Sequence, residues 1–282
     1  MKITIIGGGH MGRALIAALL RQGASAGNLV VGEAHDAARE ALLRDYGVRA
    51  TADNLAAIDG ADVVLLAVKP QEMARVVTPL QPALTRDRPL VLSVAAGIRC
   101  ADLQGWCGDG IDVVRAMPNR PALVGAGATG LYAAPSVSAA RRELATRIME
   151  STGVVVWVPD EAQIDVVTAL SGSGPAYFFL VGEAMAEAGR ALGLDAATAA
   201  RLAAATLHGS GLLAAEAATP GTPATLARMR SEVTSKGGTT EAAIGALEQA
   251  GLRDAILRAI TAATQRSQQL AAEFGSAQPP GK

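Results

Sequence analysis

The sequence of 282 residues predicts a two-part α/β fold, in which an N-terminal doubly wound sheet precedes an all-α C-terminal domain. Half of the residues are apolar and 18% are charged, so the chain has enough apolar side chains to form a buried core. Short β-branched runs alternate with helical stretches as far as about residue 158, a pattern typical of parallel βαβ units. Beyond about Asp160 the strand pattern ends, and apolar residues recur at helical spacing.

The first part of the chain contains seven short runs that we expect to form strands. Most are rich in β-branched and other apolar residues, as expected for strands that helices cover on both faces. The runs are Ile3–Ile6, Leu29–Val31, Val63–Ala67, Leu90–Val94, Val113–Ala116, Thr129–Tyr132 and Val154–Val158.

A glycine-rich turn, GGGHMG at residues 7–12, follows the first of these strands and precedes a helical run. In the G-x-G-x-x-G pattern, Gly7 permits a tight turn, Gly9 lets a pyrophosphate approach the backbone, and Gly12 lets the helix pack closely. The N–H groups at the helix start, including those of His10 and Met11, favour a phosphate. The sequence therefore predicts a Rossmann-type dinucleotide-binding domain over residues 1–160, with these five residues as cofactor contacts.

The end of the second predicted strand bears on which dinucleotide is bound. Glu33 lies about 20 residues after Gly12, where an acid usually accepts hydrogen bonds from the adenosine ribose 2′-hydroxyl. A carboxylate there repels the 2′-phosphate of NADPH, whereas His35 and Arg39 supply positive charge nearby. Glu33 favours NADH, but the choice between NAD and NADP stays open.

Residues 161–275 are expected to form an α-helical substrate and dimerisation domain, and residues 276–282 a flexible tail. The helical part is rich in alanine, so its helices can approach closely. We expect it to complete its core against a second subunit as a homodimer. A self-contained bundle is the alternative.

Composition argues against several classes of partner. A formal net charge of −1 and 3% aromatic residues indicate no nucleic-acid surface. No uninterrupted apolar run approaches the roughly 18 residues of a membrane span, and the N-terminus does not resemble a signal peptide. Cys100 and Cys107 are the only cysteines, which indicates reduced thiols in a cytoplasmic protein. The three histidines stand apart, so we expect no metal site.

Five further segments, taken in order with the glycine turn, resemble the pyrroline-5-carboxylate reductase family from about Met1 to Phe274. The segments are AVKP at Ala67–Pro70, SVAAG at Ser93–Gly97, RAMPN at Arg115–Asn119, LSGSGPAY at Leu170–Tyr177 and VTSKGGTT at Val233–Thr240.

This resemblance implies an oxidoreductase that reduces Δ1-pyrroline-5-carboxylate to L-proline with NADPH or NADH, the last step of proline biosynthesis. It also implies a homodimer formed through the helical domain, with larger homo-oligomers in some members. The cofactor contacts that it implies beyond the glycine turn are Asn54, Ala67, Val68, Lys69, Pro70, Val94, Ala95 and Ala96. The substrate-binding residues that it implies are Ser235, Gly237, Gly238, Thr239 and Thr240.

The residues of the last segment suit an anionic substrate. A loop rich in Ser, Gly and Thr directly before a helix offers N–H donors to a carboxylate, and its glycines give it backbone freedom. Thr240 can either cap that helix or hydrogen-bond the ring nitrogen; we favour the second role and take Thr240 as the catalytic residue. Because an imine can arrive already protonated, catalysis needs positioning more than a strong acid.

The chain departs from the family pattern at several positions. Lys236 stands where the glycine loop often has a proline, and Glu33-Ala34 stand where NADPH-using members often have Arg or small polar residues. Arg120 stands where members usually have Thr after Met-Pro-Asn, and Glu232 replaces an Asn before the Val-Thr-Ser segment. Two other functions fit the same architecture. A 3-hydroxyacid-type dehydrogenase is disfavoured because the helical part has only Lys236 to serve as its catalytic lysine. A non-catalytic dinucleotide-sensing protein is not excluded by fold alone.

Overall fold

The structure is a computed structural model that describes residues 1–217 and 225–275. The predicted tail, residues 276–282, lies outside the described residues. Within them the chain forms one eight-stranded sheet with the strand order β3-β2-β1-β4-β5-β6-β7-β8. The strands are β1 (Ile3–Ile6), β2 (Leu29–Gly32), β3 (Arg49–Thr51), β4 (Val63–Leu66), β5 (Leu90–Ser93), β6 (Val113–Met117), β7 (Gly127–Ala133) and β8 (Gly153–Trp157).

Helices connect the strands and continue beyond them. Those between strands are α1 (His10–Arg21), α2 (Asp36–Tyr46), α3 (Asn54–Ile58), α4 (Met73–Val77), α5 (Gln81–Asp87), α6 (Cys100–Cys107) and α7 (Ala139–Glu150). Those after β8 are α8 (Gln163–Val167), α9 (Gly174–Ala191), α10 (Ala196–Ala217), α11 (Thr225–Glu232), α12 (Thr239–Gln249) and α13 (Leu252–Gly275). A π-helical turn, Thr168–Gly172, joins α8 to α9.

The core lies on both faces of the sheet. Alternate residues of one strand enter opposite clusters, as Leu65 and Leu66 of β4 do. The same holds for Val91 and Leu92 of β5. All four are completely buried, so helices cover the sheet on each side, and the predicted doubly wound α/β fold is confirmed.

Two features of the sheet differ from the sequence prediction. The strand β3 is missed because it is only three residues long and its first residue, Arg49, is exposed. The strand β7 runs antiparallel to β6, whereas the alternating pattern indicates parallel strands throughout. The short connection over residues 118–126 contains only a 3₁₀ turn, Arg120–Val124, which reverses the chain but cannot form a crossover back to the other edge.

The packing divides the chain into two compact units. One comprises Met1–Ser173 together with the described residues from Ala262 onward, and the other is Gly174–Thr261. The second part of α13 belongs to the first unit because Phe274 packs against its core and Leu270 lies against Gly97. The domain boundary after residue 160 remains a prediction.

The continuous helical segment Gln163–Ala191 has the length and apolar composition of a membrane-spanning helix, and little of it is buried. The sequence pattern does not indicate this because serines and glycines interrupt its apolar residues. One such segment is weak evidence for a membrane, and the expected absence of a membrane partner remains a prediction.

One buried hydrogen bond joins α13 to α8 within the first unit. The Ser267 hydroxyl donates to Oδ1 of Asp165 over 2.6 Å, and both residues are at least nine-tenths buried. A hydrogen bond to a buried carboxylate contributes more to stability than one between neutral groups. The buried acid has lost its hydrating water and needs a protein donor in its place.

We expect Ser267→Ala to lower the free energy of unfolding by about 1.5–3 kcal/mol. Denaturant unfolding measures the change, with Ser136→Ala on an exposed turn as the matched control. Equal stability of the two variants would show that this hydrogen bond contributes nothing.

Candidate functional site

The glycine turn lies where β1 ends, at the carboxyl edge of the sheet. The Gly7 N–H donates to the carbonyl of Gly32 over 2.8 Å, which ties the turn to the end of β2. Gly7 has a φ of +106°, a conformation that favours glycine. A Cβ atom added there would lie 2.7 Å from the carbonyl oxygen of Ala67, so the turn also abuts the segment after β4.

The other two glycines of the motif have different surroundings. A Cβ atom at Gly12 would overlap the carbonyl oxygen of Gly7, so only glycine lets α1 pack this closely on the turn. A Cβ atom at Gly9 would meet nothing within 4 Å. Gly9 therefore borders open space beside the N-terminus of α1, where His10 is exposed and Met11 half-buried. This arrangement fits a pyrophosphate at the first-turn N–H groups.

The Glu33 carboxylate is held beside this turn. Its Oε2 accepts from the Gly8 N–H and its Oε1 from the His35 N–H, each over 2.9 Å. The Arg39 guanidinium donates over 2.8 Å to the carbonyl oxygens of both Glu33 and Ala34. The end of β2 therefore presents one negative and one positive side chain.

The other predicted cofactor residues follow neighbouring strands at the same edge. Asn54 begins α3 after β3, and its Oδ1 occupies the space that a Cβ atom at Gly32 would need. Ala67, Val68, Lys69 and Pro70 follow β4, and Val94, Ala95 and Ala96 follow β5. Because β1 to β5 are parallel, the structure brings all of these positions to one edge of the sheet.

The predicted substrate loop belongs to the second compact unit and leads into α12. Gly237 has a φ of +72°, and Gly238 is the N-cap of the helix. The Gly237 N–H donates to Oε2 of Glu241 over 2.7 Å, and the Gly238 N–H donates to the carbonyl of Ser235 over 3.0 Å. Both glycine donors are therefore engaged within the loop, which the sequence does not indicate.

The donors that remain open are the first-turn N–H groups of Thr239, Thr240 and Glu241. The first intrahelical hydrogen bond begins at the Ala242 N–H, which donates to Gly238, so these three N–H groups have no helical acceptor. Thr240 is half-buried and does not cap the helix, because Gly238 holds that position. Of its two predicted roles, capping is therefore wrong, and the contact with a ring nitrogen stays a prediction.

The structure also shows where two of the departures from the family pattern lie. Arg120 is exposed, but the neighbouring Asn119 is buried and accepts from the Ala128 N–H over 2.9 Å while donating to the Ser171 carbonyl over 3.0 Å. Glu232 forms an exposed ion pair with Arg228 over 2.5 Å.

An ion pair between a buried arginine and a half-buried glutamate is the main feature that the sequence prediction misses. Arg115 on β6 donates to Glu161 over 2.8 Å, and the same carboxylate oxygen accepts from the Cys100 N–H over 2.7 Å. An arginine inside an otherwise apolar strand is the signal that such a partner exists, since a buried charge needs one. Burial, the largest cause, raises the pKa of the Cys100 thiol to about 12, so this thiol is neutral at physiological pH.

Two family models match the chain. Residues 161–270 match the model described as pyrroline-5-carboxylate reductase dimerisation, and residues 2–97 match that of NADP oxidoreductase, coenzyme F420-dependent. Among full-length relatives, the pyrroline-5-carboxylate reductase of Pseudomonas aeruginosa is 43% identical, over 97% of this chain and 98% of its own. That of Synechocystis is 42% identical, over 96% and 98%.

Solved structures agree with these relatives. A pyrroline-5-carboxylate reductase from Coxiella burnetii superposes with a TM-score of 0.90 at 40% identity, over 96% of this chain and 98% of its own. One from Streptococcus pyogenes has a TM-score of 0.79 at 28% identity, over 95% and 98%. These findings confirm the resemblance that the five sequence segments indicate. The chain belongs to the pyrroline-5-carboxylate reductase family.

Proposed function

We propose that the protein is an NAD(P)H-dependent oxidoreductase that reduces Δ1-pyrroline-5-carboxylate to L-proline, the last step of proline biosynthesis. The observation that carries this proposal is the likeness to pyrroline-5-carboxylate reductases over almost the whole chain, at up to 43% identity. The assay follows the absorbance of NADH and NADPH with Δ1-pyrroline-5-carboxylate as substrate. Dinucleotide binding without turnover would favour a sensing protein, and turnover of a 3-hydroxyacid would favour a dehydrogenase.

We assign the cofactor to the carboxyl edge of the sheet. A bound reduced nicotinamide supplies the hydride. The N–H groups at the start of α1 bind the pyrophosphate, and Gly9 leaves room for it. Glu33 lies on the β2 side of β1, whereas β4 and β5 lie on the other. With the adenosine at β2, the segments Ala67–Pro70 and Val94–Ala96 are left to contact the nicotinamide half.

For the choice of dinucleotide, we propose that both are accepted and that NADH is preferred. The Glu33 carboxylate is fixed by the Gly8 and His35 N–H groups. With the adenosine ribose at the end of β2, as we propose, it would repel a 2′-phosphate. Arg39 offsets part of the repulsion, but its guanidinium is already paired with Asp36 over 2.5 Å.

For the substrate, we propose that the open N–H groups of Thr239 and Thr240 bind the carboxylate. The Thr240 hydroxyl then accepts a hydrogen bond from the protonated ring nitrogen. No acidic side chain needs to deliver a proton, because the imine already carries it. The requirement is that the imine carbon and the hydride donor come within about 3–3.5 Å with water excluded.

The dimerisation match supports a homo-oligomer, and we propose a homodimer formed through the helical domain, open to larger assembly. Phe178 and Phe179 on α9 are each 62% exposed, as expected for apolar side chains that a second subunit covers. We further propose a cytoplasmic enzyme, since Cys100 and Cys107 are both buried and unpaired. We also propose no nucleic-acid or membrane partner, since a formal net charge of −1 offers no attraction to a polyanion or an anionic membrane.

Alanine at Gly9 should impair cofactor binding, whereas alanine at Gly12 should impair stability. Gly9→Ala should weaken NADH binding by about tenfold or more with little loss of stability, because only the ligand needs that space. Gly12→Ala should lower the free energy of unfolding by about 1–3 kcal/mol, because the new methyl group overlaps Gly7. Titration of NADH fluorescence and thermal unfolding measure the two effects. The same loss of stability in both variants would contradict the assignment of Gly9.

Replacing Glu33 should change the choice of dinucleotide. We expect Glu33→Ser to raise the NADPH-to-NADH ratio of kcat/KM by about tenfold, since it removes one charge repulsion of about 1–2 kcal/mol. Glu40→Ser, on the exposed face of α2, is the matched control. An unchanged ratio would show that Glu33 does not discriminate.

Removing the Thr240 hydroxyl should weaken the binding of both the protonated imine and the transition state. We expect Thr240→Val to cost about 1.5–3 kcal/mol in kcat/KM, because a charged nitrogen loses its hydrogen-bond partner. Thr261→Val, at an exposed position of α13, serves as the control. Unchanged turnover and affinity would remove Thr240 from the mechanism.

A further inference from the structure

Three elements of the first compact unit meet at one carboxylate oxygen. Oε1 of Glu161 accepts from Nη1 of Arg115 on β6 over 2.8 Å and from the N–H of Cys100 over 2.7 Å. Cys100 is the first residue of α6, so the carboxylate also meets the positive end of a helix. Glu161 precedes α8, and it therefore joins β6 and α6 to the start of the following helical segment.

Among the described residues, Arg115 is paired with one carboxylate, that of Glu161. Its side chain is 4% exposed, whereas that of Glu161 is 25% exposed. The Nε atom of Arg115 is buried and has no hydrogen-bond partner within the described part of the chain. Loss of Glu161 would therefore leave a buried guanidinium without its counter-charge, which forces the surroundings to rearrange.

The ion pair lies beside the turn that follows β5. Arg115 is in register with Ser93, the last residue of β5. The turn continues through Ala95 to Gly97, which has a φ of +72°. A Cβ atom at Gly97 would lie 3.3 Å from the backbone of Leu270. The backbone from Ser93 to Cys100 is thus held by the sheet at one end, by Glu161 at the other and by α13 from the side.

From this geometry we infer that Glu161, acting through Arg115 and the Cys100 N–H, is a positioning residue for the nicotinamide half of the dinucleotide. Glu161 fixes the path of the turn Val94–Ala96 and so sets where the hydride donor lies. It does not touch the reacting atoms. The inference rests on the proposed function, which assigns this turn to the nicotinamide.

A positioning role and a purely structural role differ in which half of the dinucleotide they affect. ADP-ribose contains the adenosine and the pyrophosphate but no nicotinamide, so its affinity reports the glycine turn and Glu33 alone. A positioning residue for the nicotinamide changes kcat and NADH affinity and leaves ADP-ribose affinity intact. General loosening of the unit weakens the binding of both ligands together.

The experiment compares Glu161→Ala and Glu161→Gln with a control, Glu143→Ala, which removes an exposed ion pair on α7. We expect Glu161→Ala to lower kcat by about 10- to 100-fold through misplacement of the hydride donor. Its Kd for ADP-ribose should stay within about twofold of the unmodified chain. Glu161→Gln keeps an acceptor for the Cys100 N–H but no charge, so its kcat should be intermediate. The control should match the unmodified chain.

Other results would overturn the inference. An unchanged kcat in Glu161→Ala would do so, as would a parallel loss of kcat and ADP-ribose affinity. Failure of both Glu161 variants to fold would assign the pair to stability alone. If the unmodified chain does not reduce Δ1-pyrroline-5-carboxylate, the proposed function fails first. The ratio of NADH to ADP-ribose affinity then still tests whether Glu161 acts on the nicotinamide half.

Discussion

The close packing of α1 on the turn after β1 is the constraint on which the candidate site at the carboxyl edge of the sheet depends. The Cα atom of Gly12 lies so near the carbonyl of Gly7 that a single methyl group would overlap it. This contact starts the helix directly at the end of a central strand, with its first N–H groups at the edge of the sheet. The residues that follow β2, β4 and β5 reach the same edge because those strands run parallel to β1.

The two candidate sites share one chemical arrangement. Each is a glycine-containing turn before a helix, and in each the chain's own carboxylate accepts from a turn N–H: Glu33 from Gly8, and Glu241 from Gly237. These carboxylates fix the turns while the first-turn N–H groups of α1 and α12 stay available to an anion. Each carboxylate also adds negative charge beside a site proposed for an anionic group. A ligand with additional negative charge at that point should therefore bind less tightly.

Much of the architecture can be predicted from the sequence because it follows from local patterns. The seven predicted strands are present, since most of them are buried and therefore read as short apolar or β-branched runs. The strand β3 is not predicted because its three residues, one of them an exposed arginine, show no such pattern. The direction of β7 is not predicted correctly because it depends on the length and path of the connection after Asn119 rather than on the strand's own residues.

The site is predictable in position but not in its internal contacts. The glycine spacing and the family segments identify which residues stand at the sheet edge. They do not reveal that Glu241 engages Gly237, because that depends on the rotamer of one side chain. Nor do they pair Arg115 with Glu161, which are distant in sequence and meet only after the sheet and α8 have formed.

The return of α13 to the first unit has a consequence for synthesis on the ribosome. That unit is discontinuous, because the chain leaves it after Ser173 and re-enters it at Ala262. Asp165 meets its partner Ser267 only after 102 further residues have been translated. Gly97 waits through a still longer stretch of synthesis for its contact with Leu270. Part of the surface of the nascent N-terminal sheet therefore stays uncovered until α13 has been synthesised.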